Sequence, residues 1–408
     1  MKKSINNPLL PLLVATSTVF SSYLVTANEF ELSGKVEAEQ RVFFKKPQYA
    51  EQLEHSQTSI LIEPELYWGW GDGNSSLTFK PFYRYDAQDD ERTHGDIREL
   101  SYIYASDDWE VRAGIRKEFW GVTEFQHLVD VINQTDSVED IDGEDKLGQA
   151  MLNLSLVRDW GIVDIFVLPG FRERTFAGEN GRLRGPFVVD TDNVTYESSD
   201  EDRHIDYALR WSHSVGDFDL GAYWFHGTNR DPLLTLKPVD KEVKLHQHYS
   251  LMDQIGVDVQ ATIGDWLYKF EAIYRDTEGD NFWASQAGFE YSFIGVFESN
   301  ADLGLLLEYG YDSRGEGDLL SPGAAFQNDL FFGSRLALND ADSSELLMGF
   351  SADVDHKANS FLFEGSKRFG DNLTASLDVR LFSSSYEADQ LYSLRKDNHM
   401  QFSLAYYY

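Results

Sequence analysis

From Phe30 the chain alternates residue by residue. Phe30, Leu32, Gly34, Val36 and Ala38 fall on one side, and Glu31, Ser33, Lys35, Glu37 and Glu39 on the other. A period of two with one apolar face marks a strand. The pattern returns in LTFKPFYRY (77–85), WLYKFEAIYR (266–275) and NLTASLDVRLF (372–382). Many strands, each apolar on one face, leave two architectures. One is a water-soluble β-sandwich. The other is a closed barrel whose apolar face meets lipid and whose polar face lines a lumen.

The turns favour the barrel. SDDW (106–109), RDWG (158–161), VGDF (215–218), IGDW (263–266) and FGDN (369–372) carry Asp in a tight turn, mostly beside Gly. These residues tolerate the left-handed conformations of short hairpins. Several run straight into an aromatic residue, as at Trp109, Phe218 and Trp266. That placement suits an interfacial girdle. Long polar connections alternate with the turns, near 47–57, 87–95, 117–148, 171–203, 228–247, 276–281, 313–325 and 384–396. No run of about 18 apolar residues offers a spanning helix. The expectation is an all-β, closed antiparallel transmembrane barrel of 18 strands, with 16 as the alternative. An even count puts both chain ends on the short-turn side, with segments near Asp302 and Asn339–Asp342 as further short turns.

The ends of the chain agree. Met1-Lys2-Lys3, an apolar stretch to Val25 and the small-residue VTA step predict a secretory signal peptide over residues 1–27. The barrel is then residues 28–408. There are no cysteines, and a closed barrel needs none, because its ring of backbone hydrogen bonds is complete. The final strand HMQFSLAYYY ends on an aromatic. It resembles the terminal strand read by the Gram-negative barrel-assembly machinery. Outer-membrane lipid and lipopolysaccharide are the expected surroundings.

The formal net charge is −34. The lumen-facing strand positions read as mixed in sign and nearly balanced, so the acid excess is expected in the loops. EFWGVTEFQHLVDVINQTD (118–136) breaks the alternation. Val122, Phe125, Leu128, Val129 and Ile132 recur near helical spacing, with Thr123 and Gln126 as a capping box. This predicts a short amphipathic helix over 124–134 that folds inward to bury its apolar face. GFRERTFAGENGRLRGP (170–186) adds Arg172, Arg174, Arg182 and Arg184 in an otherwise acidic chain. Two readings follow: a basic side facing Glu118, Asp130 and Asp136 across a pore, or arginines paired with loop acids such as Glu173 and Glu179. The candidate constriction or solute-binding set is Glu118, Trp120, His127, Asp130, Asn133, Asp136, Arg172, Arg174, Arg182 and Arg184.

Other patterns carry less. DIDGEDK (140–146) packs oxygen ligands around Gly143 without the spacing of an EF-hand loop. His246 and His248 lack a further ligand in the sequence. His213 lies between Ser212 and Ser214, but neighbouring strand residues face opposite sides. No Gly-x-Ser-x-Gly, phosphate loop or dinucleotide fingerprint occurs. Nothing points to an enzyme, a cofactor, a bound metal or nucleic acid.

As a whole the mature chain resembles a Gram-negative outer-membrane β-barrel of the porin type. The stretch RAGIRKEFWGVTEFQHLVDVINQTD (112–136) is similar to a motif of the alginate-export-like barrel superfamily, through Arg112, Gly114, Trp120, Gly121, Asp130, Asn133 and Asp136. The resemblance implies passive diffusion of small hydrophilic solutes, with export of an acidic polysaccharide as the alternative. Exporters of that superfamily use an arginine-rich lumen, whereas this wall reads as balanced. A lipid-modifying barrel enzyme and an adhesion scaffold are the readings from other classes.

Overall fold

The computed structural model describes residues 29–71, 73–239, 242–315 and 326–408, with Asp280 as backbone only. The expected signal peptide lies outside them. The first seven strands are β1 (Glu29–Phe43), β2 (Ser56–Trp70), β3 (Ser75–Asp86), β4 (His94–Ala105), β5 (Trp109–Arg116), β6 (Gln149–Arg158) and β7 (Gly161–Pro169). Then come β8 (Val189–Tyr196), β9 (Ile205–Val215), β10 (Phe218–Thr228), β11 (Leu233–Val239), β12 (Glu242–Tyr249), β13 (Leu251–Ile263) and β14 (Trp266–Thr277). The last seven are β15 (Asp280–Val296), β16 (Ala301–Asp312), β17 (Asn328–Ala337), β18 (Glu345–Asp353), β19 (Asn359–Phe369), β20 (Leu373–Ser383) and β21 (His399–Tyr407).

Eighteen of these form one antiparallel sheet, closed where β1 pairs with β21 from Lys35↔Tyr407 to Phe43↔His399. β8, β11 and β12 stand apart as a three-stranded sheet in which β8 and β12 run parallel. They come from stretches that the sequence reading assigns to polar loops. Thr191-Asp192-Asn193 of β8 and Lys237-Pro238-Val239 of β11 lack the apolar alternation that announces a wall strand.

Alternation sorts the wall. Phe30, Leu32, Ile60, Ile62, Leu209, Ile255, Phe332 and Phe402 point outward and are exposed, while Glu39, Arg41, Ser59, Arg84, Asn153, Gln254 and Glu271 point inward and are buried. Outward aromatics gather at both strand ends. Trp109 meets Tyr104 and Trp266 meets Tyr291 near the short turns. Tyr83, Tyr85, Trp283 and Tyr311 stand near the long loops. Amphipathic rings favour the two membrane–water interfaces. Two of the two-residue hairpins, 216–217 and 264–265, need positive φ, and Gly216 at 61° and Gly264 at 65° provide it.

Short connections at 297–300 and 338–344 fall near the turns expected around Asp302 and Asn339. Two connections at the opposite end are also short: 354–358, and the stretch 276–281 expected as a long loop, where β14 and β15 stay paired to Thr277↔Asp280 and leave only Glu278 and Gly279 as a turn.

Candidate functional site in the lumen

The connection from β5 to β6, residues 117–148 and here called L3, folds into the barrel. Its two stems are tied by Asn133. The Asn133 side-chain oxygen accepts the Glu118 N–H at 2.8 Å, and its amide donates to the Arg116 carbonyl at 2.9 Å and the Leu147 carbonyl at 2.8 Å. Between the stems, Val129, Val131 and Ile132 are sealed against Phe166, Leu168, Phe225, Met252 and Phe282 of β7, β10, β13 and β15. Trp120 sits between Phe166 and Tyr223, with ring centroids at 5.6 and 5.0 Å. Burying each such side chain is worth about 1.5–3 kcal/mol. The lumen wall is therefore not uniformly polar. It carries an apolar patch that the loop fills.

The expected helix over 124–134 does not form. Its backbone donors are taken by the wall instead. Glu271 of β14 accepts the N–H groups of Val122 (2.6 Å), Thr123 (3.0 Å) and Val129 (3.2 Å). Glu308 of β16 accepts those of Glu124 (3.0 Å) and Phe125 (3.2 Å). The Thr123 hydroxyl donates to the Gln126 carbonyl at 2.5 Å rather than capping a helix. Hydrogen bonds to charged acceptors outweigh neutral ones, so an irregular path that reaches two carboxylates replaces the helix. The expected inward packing of the apolar residues is nevertheless what the loop does.

L3 touches the wall on several sides. Phe125 stacks on Phe331 of β17 at 4.4 Å. Far around the barrel, Arg84 of β3 grips both carboxylate oxygens of Glu139, and Arg41 of β1 donates to the Glu139 carbonyl at 2.8 Å. Arg380 of β20 reaches Asp140 at 3.0 Å and Asp142 at 2.8 Å. The loop thus runs from the β5–β6 side to β14–β17 and to β20–β1–β3.

The ten sequence candidates divide by exposure and partner. Asn133 and Asp136 are buried clamps. Asp136 accepts Arg98 at 2.7 Å, His94 at 3.1 Å and the Thr175 hydroxyl at 2.8 Å. Asp136 is buried, yet His94 and Arg98 hold its carboxyl below the usual range. Trp120 is part of the apolar seat, and Arg210 lies 5.0 Å over its ring. Asp130 pairs with Lys146 at 3.1 Å, but burial still raises its pKa. Glu118 pairs with Arg116 at 3.1 Å. His127 bonds Glu144 at 2.8 Å, and although burial opposes protonation, Glu144, Glu271 and Asp130 together raise its pKa.

The four arginines belong to residues 170–204, called L4, and none projects unpartnered. Arg172 pairs with Asp96, Arg174 with Asp231 at 2.8 Å, and Arg182 with Asp397 at 2.6 Å. Arg184 donates to the Gly185 and Glu179 carbonyls and lies over Tyr49. Pairing with acids therefore describes three of them, but the acids are Asp96, Asp231 and Asp397 rather than Glu173 and Glu179. The side chains of Arg182 and Asp397 are wholly buried, so neither can touch a passing solute.

Among the described residues His94, Asp136 and Glu139 place three ligand atoms within 4.8 Å of one another. Arg98 and Arg84 already occupy the two carboxylates, and their charge opposes a metal cation there. The group serves as an anchor for L3. Sequence reasoning misses Glu271, Glu308 and Arg380, since single charged residues on alternating strands announce no special role.

A closed barrel with an apolar, aromatic-edged exterior, a polar lumen and, among the described residues, no helix long enough to span defines a β-barrel of the outer membrane. Among solved structures the chain is similar to OccK3 (OpdO) of Pseudomonas aeruginosa at 8% identity, over 93% of this chain and 96% of that one, with a TM-score of 0.53. It is also similar to OccK11 (OpdR) of the same organism at 7% identity, over 93% and 95%, with a TM-score of 0.51. These likenesses are in fold. No family model matches the chain, and no curated protein does.

Proposed function

We propose that the protein is a diffusion channel for small hydrophilic solutes, narrowed by L3. The observation that carries this reading is a loop anchored on opposite sides of a polar lumen, at Glu271 and Glu308 on one side and at Arg84 and Arg380 on the other. Large barrels that enclose a polar interior conduct unless a loop or plug fills them. Export of an acidic polysaccharide draws less support, because a polyanion needs free cationic charge and the L4 arginines are engaged. Kinship with the alginate-export-like barrels rests on the motif at 112–136 alone. Residues 1–27 act as the signal peptide in this reading, and the strand ending at Tyr408 is read by the assembly machinery.

Planar-bilayer recording of the purified barrel tests the reading. Discrete conductance steps are expected, and a silent bilayer overturns the channel. Deleting Val122–Thr135 is expected to raise unitary conductance, since the segment that fills the apolar seat is gone. An unchanged step size places L3 outside the conducting path.

A further inference from the structure

The position of L3 alters the charge of the lumen. The loop holds nine carboxylates and two lysines. Counted as an external loop, it leaves the lumen balanced. Folded inward, it brings a net negative charge to the level of the seat. The arginines that meet it do not cancel this charge. Arg380 shares one guanidinium nitrogen among Asp140, Asp142 and Glu364, at 3.0, 2.8 and 3.5 Å. Arg41, Arg84 and Arg92 all lie against Glu39, and Arg84 against Glu139 as well.

The groups left over are mostly acidic. Among the described residues, Asp145 of L3 and the lumen-facing Glu99, Asp164, Glu290 and Asp378 have no cation within ion-pair distance. Of the cations on L3 and on the inward strand positions, only Lys117 and Arg368 lack a carboxylate partner among the described residues. Arg368 lies at the short-turn rim, far from L3, and donates to the Ala341 carbonyl. Asp142, Glu144 and Asp145 are exposed on the loop. Fixed charge of one sign between low-dielectric walls focuses its field and concentrates counter-ions.

We propose that the lumen selects cations over anions, and that the exposed carboxylates of L3 set the preference. This inference rests on the channel reading. It differs from a pore with a basic side built by Arg172, Arg174, Arg182 and Arg184, because those residues spend their charge on Asp96, Asp231 and Asp397 or lie along carbonyls.

The test is the reversal potential of the full barrel across a potassium chloride gradient. The wild type is expected to pass potassium in preference to chloride. The variant Asp142→Asn, Glu144→Gln, Asp145→Asn is expected to bring the permeability ratio severalfold closer to one. Asp145→Asn alone is a safeguard, since its carboxylate makes no hydrogen bond or ion pair whose loss would disturb folding. It is expected to shift the ratio the same way by a smaller step. A wild-type ratio at or below one overturns the inference and leaves the channel reading standing. Variants that keep the wild-type ratio overturn the assignment to L3. A barrel that never conducts overturns both.

Discussion

Asp145 shows how one residue's setting acquires a function. Asp145 is open to water in the lumen, yet the protein crowded around it and the charges of Glu139, Asp142 and Asp140 push its carboxyl up to about 7, and Arg98 opposes this only in part. The carboxyl is therefore neutral in mild acid and charged in mild base. Cation preference is expected to increase from about pH 6 to about pH 8 as the group ionises. Reversal potentials measured across that range check it, and Asp145→Asn is expected to flatten the slope. Arg182 makes the opposite case. Its ion pair with Asp397 is wholly buried and joins L4 to the β20–β21 connection. Arg182→Ala leaves an uncompensated buried acid and is expected to cost about 3–5 kcal/mol. Faster proteolysis within 170–204 is the readout, and replacing both partners with apolar residues is expected to restore part of the loss. An arginine-rich stretch announces charge in the sequence. Whether that charge is spent or free depends on Asp397, more than two hundred residues away.

L3 is the element on which sequence and structure diverge most usefully. Its apolar residues read as the face of a helix, and they are the residues that bury against the wall. The helix itself fails because Glu271 and Glu308 capture the backbone donors. Glu271→Ala strands three N–H groups, each costing about 1–3 kcal/mol if left unsatisfied. The expected result is a noisier channel with larger steps, and traces like the wild type would show that the apolar seat alone holds L3. Trp120→Ala empties the space between Phe166 and Tyr223, and a cost of about 3–5 kcal/mol is expected at the seat. The motif residues Trp120, Asp130, Asn133 and Asp136 share a meaning in this light. They tie the loop's stems, fill its seat and fasten it to β4 beside the stem. The strands were legible because their period is local. The seat was not, because its apolar wall comes from inward positions of strands that otherwise alternate normally.

At the scale of the whole molecule, the field is set by a closed wall with L3 folded inside it. Selectivity that arises from such a field is screened by salt. The Debye length is about 10 Å at 0.1 M and about 3 Å at 1 M, so cation preference is expected to fall as mean ionic strength rises. Reversal potentials at fixed gradient ratio and two mean concentrations test this, and a ratio independent of salt would point to contact selection by size. By itself the sequence determined the strand period, the tight turns, the aromatic rims and the even strand count, since each depends on residues a few positions apart. It also marked 118–136 as the segment that departs from the wall. Only the tertiary structure decided that L3 takes its seat without a helix, that β8, β11 and β12 form their own sheet, and which charges remain unpaired. Those outcomes depend on contacts between residues up to hundreds of positions apart, where a carboxylate on a distant strand competes with the loop's own backbone and wins.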